Sequence, residues 1–519
     1  MKLLSLSQVA RGGIALAAVA LVSLGVHANG ASAAAASPTV TAAVGLPGVG
    51  APSGTTFDLS SVGYQASEFF VSGTANSYHN ALPTPSPLPV DGVWTIAADA
   101  VQPAYNTRIQ VYRPIDPLAF DGTVFVEWLN ATNQSDSAPD WIYSHVEMIR
   151  EGAVYVGVTA QRVSVNAAIA REPARYGPTG ANLVHPGDSF SYDIFSQAGQ
   201  AILDDPALVL GGLTPTKLIA TGESQSASRM VTYIDAIDPL VNVYDGYLVH
   251  SRGSAGSQLR STSATPPLTA INVLGPTLIR ADQGVLPVFV FQTETDTRAS
   301  RQADTSIFRQ WEVAGTAHAD IYTLGIGQPD TGLDNTAARQ LFDAMLVPVA
   351  EPLPGILPPC TFGVNSGPHH WVLQAAVHWL NLWVVNGTLP PSGGPGLTTT
   401  AIPGSPPLFG LVLDSNGNAT GGVRSPHVDV PVATIRGTGN SAPGPFNFCG
   451  LFGTTTAFSA AQLAALYPNH GMFVSAWAQS VNDGVAGGFI LPEDAEMLKA
   501  VAAESRVGQR PSPRGMLSR

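Results

Sequence analysis

From Arg108 onward, short apolar runs rich in β-branched and aromatic residues alternate with longer helical patterns. The short runs are Arg108 to Arg113, Thr123 to Trp128, Ala153 to Ala160, Lys217 to Thr221, Gly246 to His250, Leu286 to Gln292 and Arg309 to Val313. Between them, Asp140 to Arg150, Tyr192 to Leu203 and Ser226 to Ala236 read as helices, with Asp140 as N-cap of the first and Asp188 or Ser189 as cap of the second. A further helix is expected from His370 to Val385. This alternation predicts an α/β fold with a mostly parallel central sheet covered by helices on both faces. Segments 251–285 and 320–368, rich in Pro, Gly, Ser and Thr, read as cap-like insertions, followed by a C-terminal elaboration. Gly410 to Gly437 reads as a hairpin turning at Asp414 to Asn418, whose glycine comes too early for an EF-hand calcium loop.

The first residues carry a different pattern. Lys2 and Arg11 precede the apolar run Gly13 to Val26, and Ala31-Ser32-Ala33 offers a small-residue cleavage site, with Val26-His27-Ala28 as a second. Residues 1–33 are therefore expected to be a secretory signal peptide, which places the mature chain in the periplasm or outside the cell. Residues 34–519 form one elaborated domain on this reading. Hydrophobic residues make up 45% and charged residues 12%, as suits a well-buried core. Net charge is −13 and the lysines are Lys2, Lys217 and Lys499, so no basic cluster exists to neutralise nucleic-acid phosphates. No later stretch reads as a membrane span. Cys360 and Cys449 are an even pair in an oxidising compartment, and a disulfide between them is expected.

Candidate chemistry centres on Thr216 to Thr221, a buried-strand pattern that runs into Gly222-Glu223-Ser224-Gln225-Ser226 and then directly into a helix. A sharp strand-to-helix turn lifts a serine oxygen into a cleft, and small residues two before and two after let the backbone pass. Ser226 departs from the G-x-S-x-G pattern but is small. Gly187-Asp188-Ser189-Phe190-Ser191 has the same spacing, yet it follows a loop, so Ser189 lacks the elbow.

A serine nucleophile needs a base held by a third group, in the chain order Ser, acid, His for this kind of fold. The strand Leu286 to Gln292 empties into Thr293-Glu294-Thr295-Asp296, and Arg309 to Val313 leads into Ala314-Gly315-Thr316-Ala317-His318. His318 is the expected base and Asp296 the expected acid, with Glu294 as the alternative. The N–H of Gln225, with that of Asn130 or Ala131 after the strand Thr123 to Trp128, supplies the expected oxyanion hole. His369, His370 and His378 suggest a zinc site, but no acid or cysteine completes it at ligand spacing; neither metal nor cofactor is expected. His427 is read as structural.

At these residues the chain resembles the large bacterial "alpha/beta hydrolase domain" proteins. The matching stretches are Val126 to Asn130, His185 to Ser189 with Tyr192-Asp193, Thr221 to Ser226, Glu294 to Asp296, Glu312 to Asp320 and Gly422 to Pro426. The resemblance implies one elaborated α/β-hydrolase fold, a triad of Ser224, His318 and Asp296 or Glu294, and a structural or pocket role for Asp188-Ser189. Hydrolysis of a small-molecule or polymeric ester through an acyl-enzyme is the leading expectation. An amidase, a lactonase or a polyester depolymerase would use the same groups. A non-catalytic binding protein on the same scaffold is the reading from another class.

Overall fold

The computed structural model describes residues 35–46, 54–280, 286–297, 301–354, 356–402, 408–443 and 447–509; the expected signal peptide lies outside them. Nine strands form one sheet: β1 (Thr39–Ala42), β2 (Tyr64–Thr74), β3 (Ala104–Pro114), β4 (Thr123–Trp128), β5 (Val154–Val158), β6 (Lys217–Glu223), β7 (Gly246–His250), β8 (Val288–Thr293) and β9 (Phe308–Val313). Their spatial order is β1-β2-β3-β5-β4-β6-β7-β8-β9. The first three strands and the β3–β5 pair are antiparallel, and every later pair is parallel.

Parallel strands lie between helical layers, so both faces must be apolar. Phe125, Ile219, Leu248 and Phe289 enter one core together with Trp141 of helix α1 (Pro139–Glu151), Leu341 of α4 (Thr336–Leu346), Trp371 and Leu380 of α5 (His369–Asn386), Trp477 of α6 (His470–Ala486) and Leu498 of α7 (Pro492–Glu504). Val126, Ala220, Val249 and Val290 enter the opposite core with Phe195 and Ile202 of α2 (Ser191–Asp204) and Met230 of α3 (Gln225–Thr232). Among the described residues, no helix is long and apolar enough to cross a membrane.

Several expectations change. β1 and β2 join the sheet from before the alternation that begins at Arg108. Segment 320–368 contains the regular helix α4. The hairpin turn at Asp414 to Asn418 forms, with the Asp414 carboxylate accepting from the amides of Asn416 and Asn418 and Leu413 bridged antiparallel to Ala419 across it, but the far end of the expected hairpin, Ala433–Arg436, pairs with Thr454–Ala457. Asp140 does not cap α1. The carboxyl group of Glu127, buried in β4, accepts from the amides of Asp140 and Trp141, and so satisfies two N–H groups that have no partner within the helix. Neither Asp188 nor Ser189 caps α2: Asp188 accepts from the Arg162 amide and pairs with Arg229 at 3.4 Å, while Ser189 exchanges hydrogen bonds with Ser261. Cys360 and Cys449 are joined as a disulfide across 89 residues, with Cα atoms 5.7 Å apart.

Candidate active site

β4, β6, β7, β8 and β9 are parallel, so their C-terminal ends share one edge of the sheet. Chain direction reverses across the sheet at β4: β5 lies on one side of it and β6 on the other. Loops leaving strands on either side of such a switch point diverge and leave a crevice. Asn130 follows β4 and Ser224 follows β6 at that crevice.

Ser224 has φ 58° and ψ −113°, an unfavourable backbone for a residue with a side chain. Its amide donates to the His250 carbonyl at the end of β7, 2.9 Å away. Gly222 is needed here: a Cβ at that position would meet the Ser226 backbone at 3.0 Å and Met230 Cγ at 3.1 Å. Ser226, fully buried, fits the second close approach for the same reason. These contacts hold the turn that presents Ser224 Oγ.

The histidine loop is set by a carboxylate. Glu294, buried, accepts from the amides of Gly315 at 2.6 Å and Gly437 at 2.7 Å, and burial pushes its carboxyl up to about 7. Both of its oxygens are thereby turned away from His318, so Glu294 clamps the loop and does not orient the ring. Asp296 does face it. His318 Nδ1 stands 2.9 Å from Asp296 Oδ1, and His318 Nε2 stands 2.7 Å from Ser224 Oγ. The Thr293 hydroxyl donates to Asp296 Oδ2 at 2.6 Å, and the His318 amide donates to Thr295 Oγ1 at 3.0 Å. Burial pulls the imidazole's pKa down, but the carboxylates of Asp296 and Glu223 outweigh it and hold it up at about 9.

Gln225 is the first residue of α3, where backbone N–H groups have no partner within the helix. Asn130 is corrected as an oxyanion donor, because its N–H already donates to the Ser137 carbonyl at 2.8 Å. Its side chain instead donates to Glu223, at both the carbonyl and Oε2, each 3.0 Å away. Ala131, the next residue, is buried in the same loop. That loop is anchored from below by buried Arg108, which donates to Asp136 Oδ2 at 3.0 Å and to Glu68 Oε1 at 3.2 Å.

A cavity of about 260 Å³ opens on Ser224, Glu223 and His318. Ile142, Leu324, Leu353, Phe448 and Leu451 give it an apolar wall, while Thr132, Asn133 and Gln328 give it a polar one. Segment 320–368 thus lines the cavity, whereas none of its lining residues comes from the described part of 251–285.

The other histidines divide among separate tasks. His369 Nδ1 meets the Ala317 carbonyl at 3.0 Å, and its Nε2 meets His250 Nε2 at 2.7 Å; His250 Nδ1 in turn meets Asp140 Oδ1 at 2.7 Å. His370 Nδ1 meets the Tyr143 carbonyl at 2.9 Å. His378 Nδ1 lies 2.6 Å from Glu151 and 3.1 Å from Glu147, which hold its ring up at about 10. His427 is buried beside Ser425 and Trp477. The Ser189 hydroxyl is engaged by the Ser261 backbone, donating to its carbonyl and accepting from its amide.

Sequence reasoning missed Glu223, the Asn130 side chain and the Asp140–His250–His369 chain. Glu223 alone carried a signal, as a charged residue at the end of an otherwise uncharged strand core.

The sequence model of a family described as "Alpha/beta hydrolase domain" matches residues 30–500. The chain belongs to this family. No curated protein sequence matches it. Solved structures similar to this alpha/beta hydrolase include the methylesterase BT1017, at 14% identity over 50% of this chain and 45% of that one, with a TM-score of 0.26. An esterase structure from Rhizomucor miehei is similar at 11% identity over 49% and 77% of the two chains, with a TM-score of 0.26. One from Pseudomonas putida is similar at 14% identity over 46% and 66%, with a TM-score of 0.23. The chain spans less than half the length of the methylesterase.

Proposed function

We propose that this alpha/beta hydrolase cleaves a carboxylic ester through an acyl-enzyme on Ser224. The observation that carries the reading is the continuous contact from Ser224 Oγ through His318 to Asp296, at 2.7 and 2.9 Å, with Ser224 and His318 lining a cavity. As Ser224 Oγ attacks the carbonyl carbon, its proton passes to His318 Nε2, and Asp296 holds the ring by Nδ1. The oxygen that gains charge is met by the amides of Gln225 and Ala131, each unpartnered among the described residues. Collapse of that intermediate expels the alcohol, which takes the proton from His318. Water then repeats the sequence and frees the acid.

At ~30 Å³ for a water-sized group, the cavity holds on the order of nine such groups, which suits a short acyl or alcohol portion. The Cys360–Cys449 disulfide supports action outside the cytoplasm, as the signal-peptide reading expects. The test is turnover of short p-nitrophenyl esters by Ser224→Ala. A folded variant should lose at least about 10⁴-fold in kcat, and retained turnover would remove Ser224 from the reaction.

A further inference from the structure

A second acidic side chain reaches the nitrogen that serves Ser224. Glu223 Oε1 stands 3.1 Å from His318 Nε2, the same nitrogen that stands 2.7 Å from Ser224 Oγ. The other oxygen, Oε2, is fixed by the Asn130 amide at 3.0 Å. Glu223 is 6% exposed, lines the cavity, and pairs with no Lys or Arg among the described residues. An acid buried without a cationic partner is costly to the fold, and the group closest to compensating it is the His318 ring.

We propose that Glu223 is a second carboxylate acting on the base, stabilising the imidazolium that His318 becomes when it takes the Ser224 proton. The proposal rests on the serine-hydrolase reading above. Its proton balance is simple. The Oγ–H bond breaks as Oγ bonds to the carbonyl carbon, and the proton resides on Nε2 with Asp296 at one side of the ring and Glu223 at the other. When the leaving alcohol takes that proton, the ring is neutral again. Charge therefore develops between two fixed carboxylates in a buried site, the arrangement in which electrostatic stabilisation acts on the transition state.

The same geometry has a cost at rest. Two carboxylates hold His318 protonated up to about 9, whereas the attack on substrate needs the neutral ring. Burial pushes Glu223 itself up to about 7, opposed by His318 and His250 and reinforced by Asp140 and Asp296. The groups facing the pair are Asp140 and Tyr143 on α1, His250 at the end of β7, Asp296 after β8 and His369 on α5. Burial keeps His369 well below its ordinary range, so it brings no positive charge. Tyr143 is raised by burial and by Asp320, and stays neutral.

Removing the Glu223 charge should thus lower the plateau of kcat/KM and also shift its rise with pH toward acid. A role confined to packing would lower the plateau and leave the midpoint where it is. The experiment is the pH profile of kcat/KM for p-nitrophenyl acetate with the wild type, Glu223→Gln and Glu223→Asp. In Glu223→Gln the midpoint should fall by about one pH unit or more and the plateau by about tenfold. Glu223→Asp withdraws the charge by one methylene and should give an intermediate midpoint, which keeps the test open if the Gln variant does not fold. An unchanged midpoint in whichever variant folds overturns the proposal. Titration of the His318 ring by NMR in Ser224→Ala, with and without Glu223→Gln, gives the same comparison without turnover. If Ser224→Ala retained activity, the serine reading would fail while this ring titration still judged Glu223.

Discussion

Glu294 and Asp296 are two residues apart on one loop, and alternation of side chains past β8 does not by itself tell which reaches His318. Glu294 is consumed by two amides, of Gly315 and Gly437, and Asp296 by the ring and the Thr293 hydroxyl. Substituting each should separate the roles. Asp296→Asn leaves His318 Nδ1 without its acceptor and should lower kcat on the order of 10⁴-fold with little loss of stability. Glu294→Gln turns an amide NH₂ toward an amide N–H, losing one buried hydrogen bond, and should cost about 1–3 kcal/mol of unfolding free energy. Its kcat should stay within about tenfold of wild type, because the His318–Asp296 contact survives. Ester turnover and denaturant unfolding on both variants check the pair of outcomes. The sequence favours Asp296 but leaves Glu294 open, because part of what occupies Glu294 is Gly437, 143 positions away.

At the scale of elements, the strands that read most directly were those buried on both faces. Thr123–Trp128 and Gly246–His250 begin and end where their apolar runs do. β2 was invisible because Gln65, Ser67, Glu68, Ser72 and Gly73 interrupt its pattern, and its stability comes from an eleven-residue antiparallel ladder with β3. The turn that carries Ser224 was legible for a local reason: strand, tight turn and helix are contiguous. The loop after β4 was legible only as a position, since what holds it is an ion pair with distant strands. Arg108 on β3 joins Asp136 of that loop to Glu68 on β2. Arg108→Met should leave buried Asp136 without its cation, while Glu68 keeps Arg175, and cost about 3–5 kcal/mol, read from the shift of the urea midpoint. A shift under about 1 kcal/mol would show that the loop is held by other contacts.

Across the whole molecule, the cavity is assembled from segments far apart in sequence. Leu353 precedes Cys360, and Phe448 and Leu451 flank Cys449, so the disulfide fastens one wall to the other. The double variant Cys360→Ser, Cys449→Ser should lose on the order of 2–5 kcal/mol of stability, as closing a long loop implies, with a raised KM that accompanies the loosened wall. Equal unfolding midpoints for oxidised wild type and double variant would remove this role. The disulfide was foreseen from the even pair of cysteines, whereas the wall of Leu324, Leu353, Phe448 and Leu451 was not, because it forms only when the chain after β9 folds back over the sheet edge. What unites the site is the elbow at Ser224. Its most direct measurement is mass mapping of the intact protein after reaction with a fluorophosphonate probe. The expected result is a single adduct on the peptide containing Ser224, absent from Ser224→Ala. An adduct at Ser189 or elsewhere, or no adduct on a folded protein that still hydrolyses esters, would contradict it.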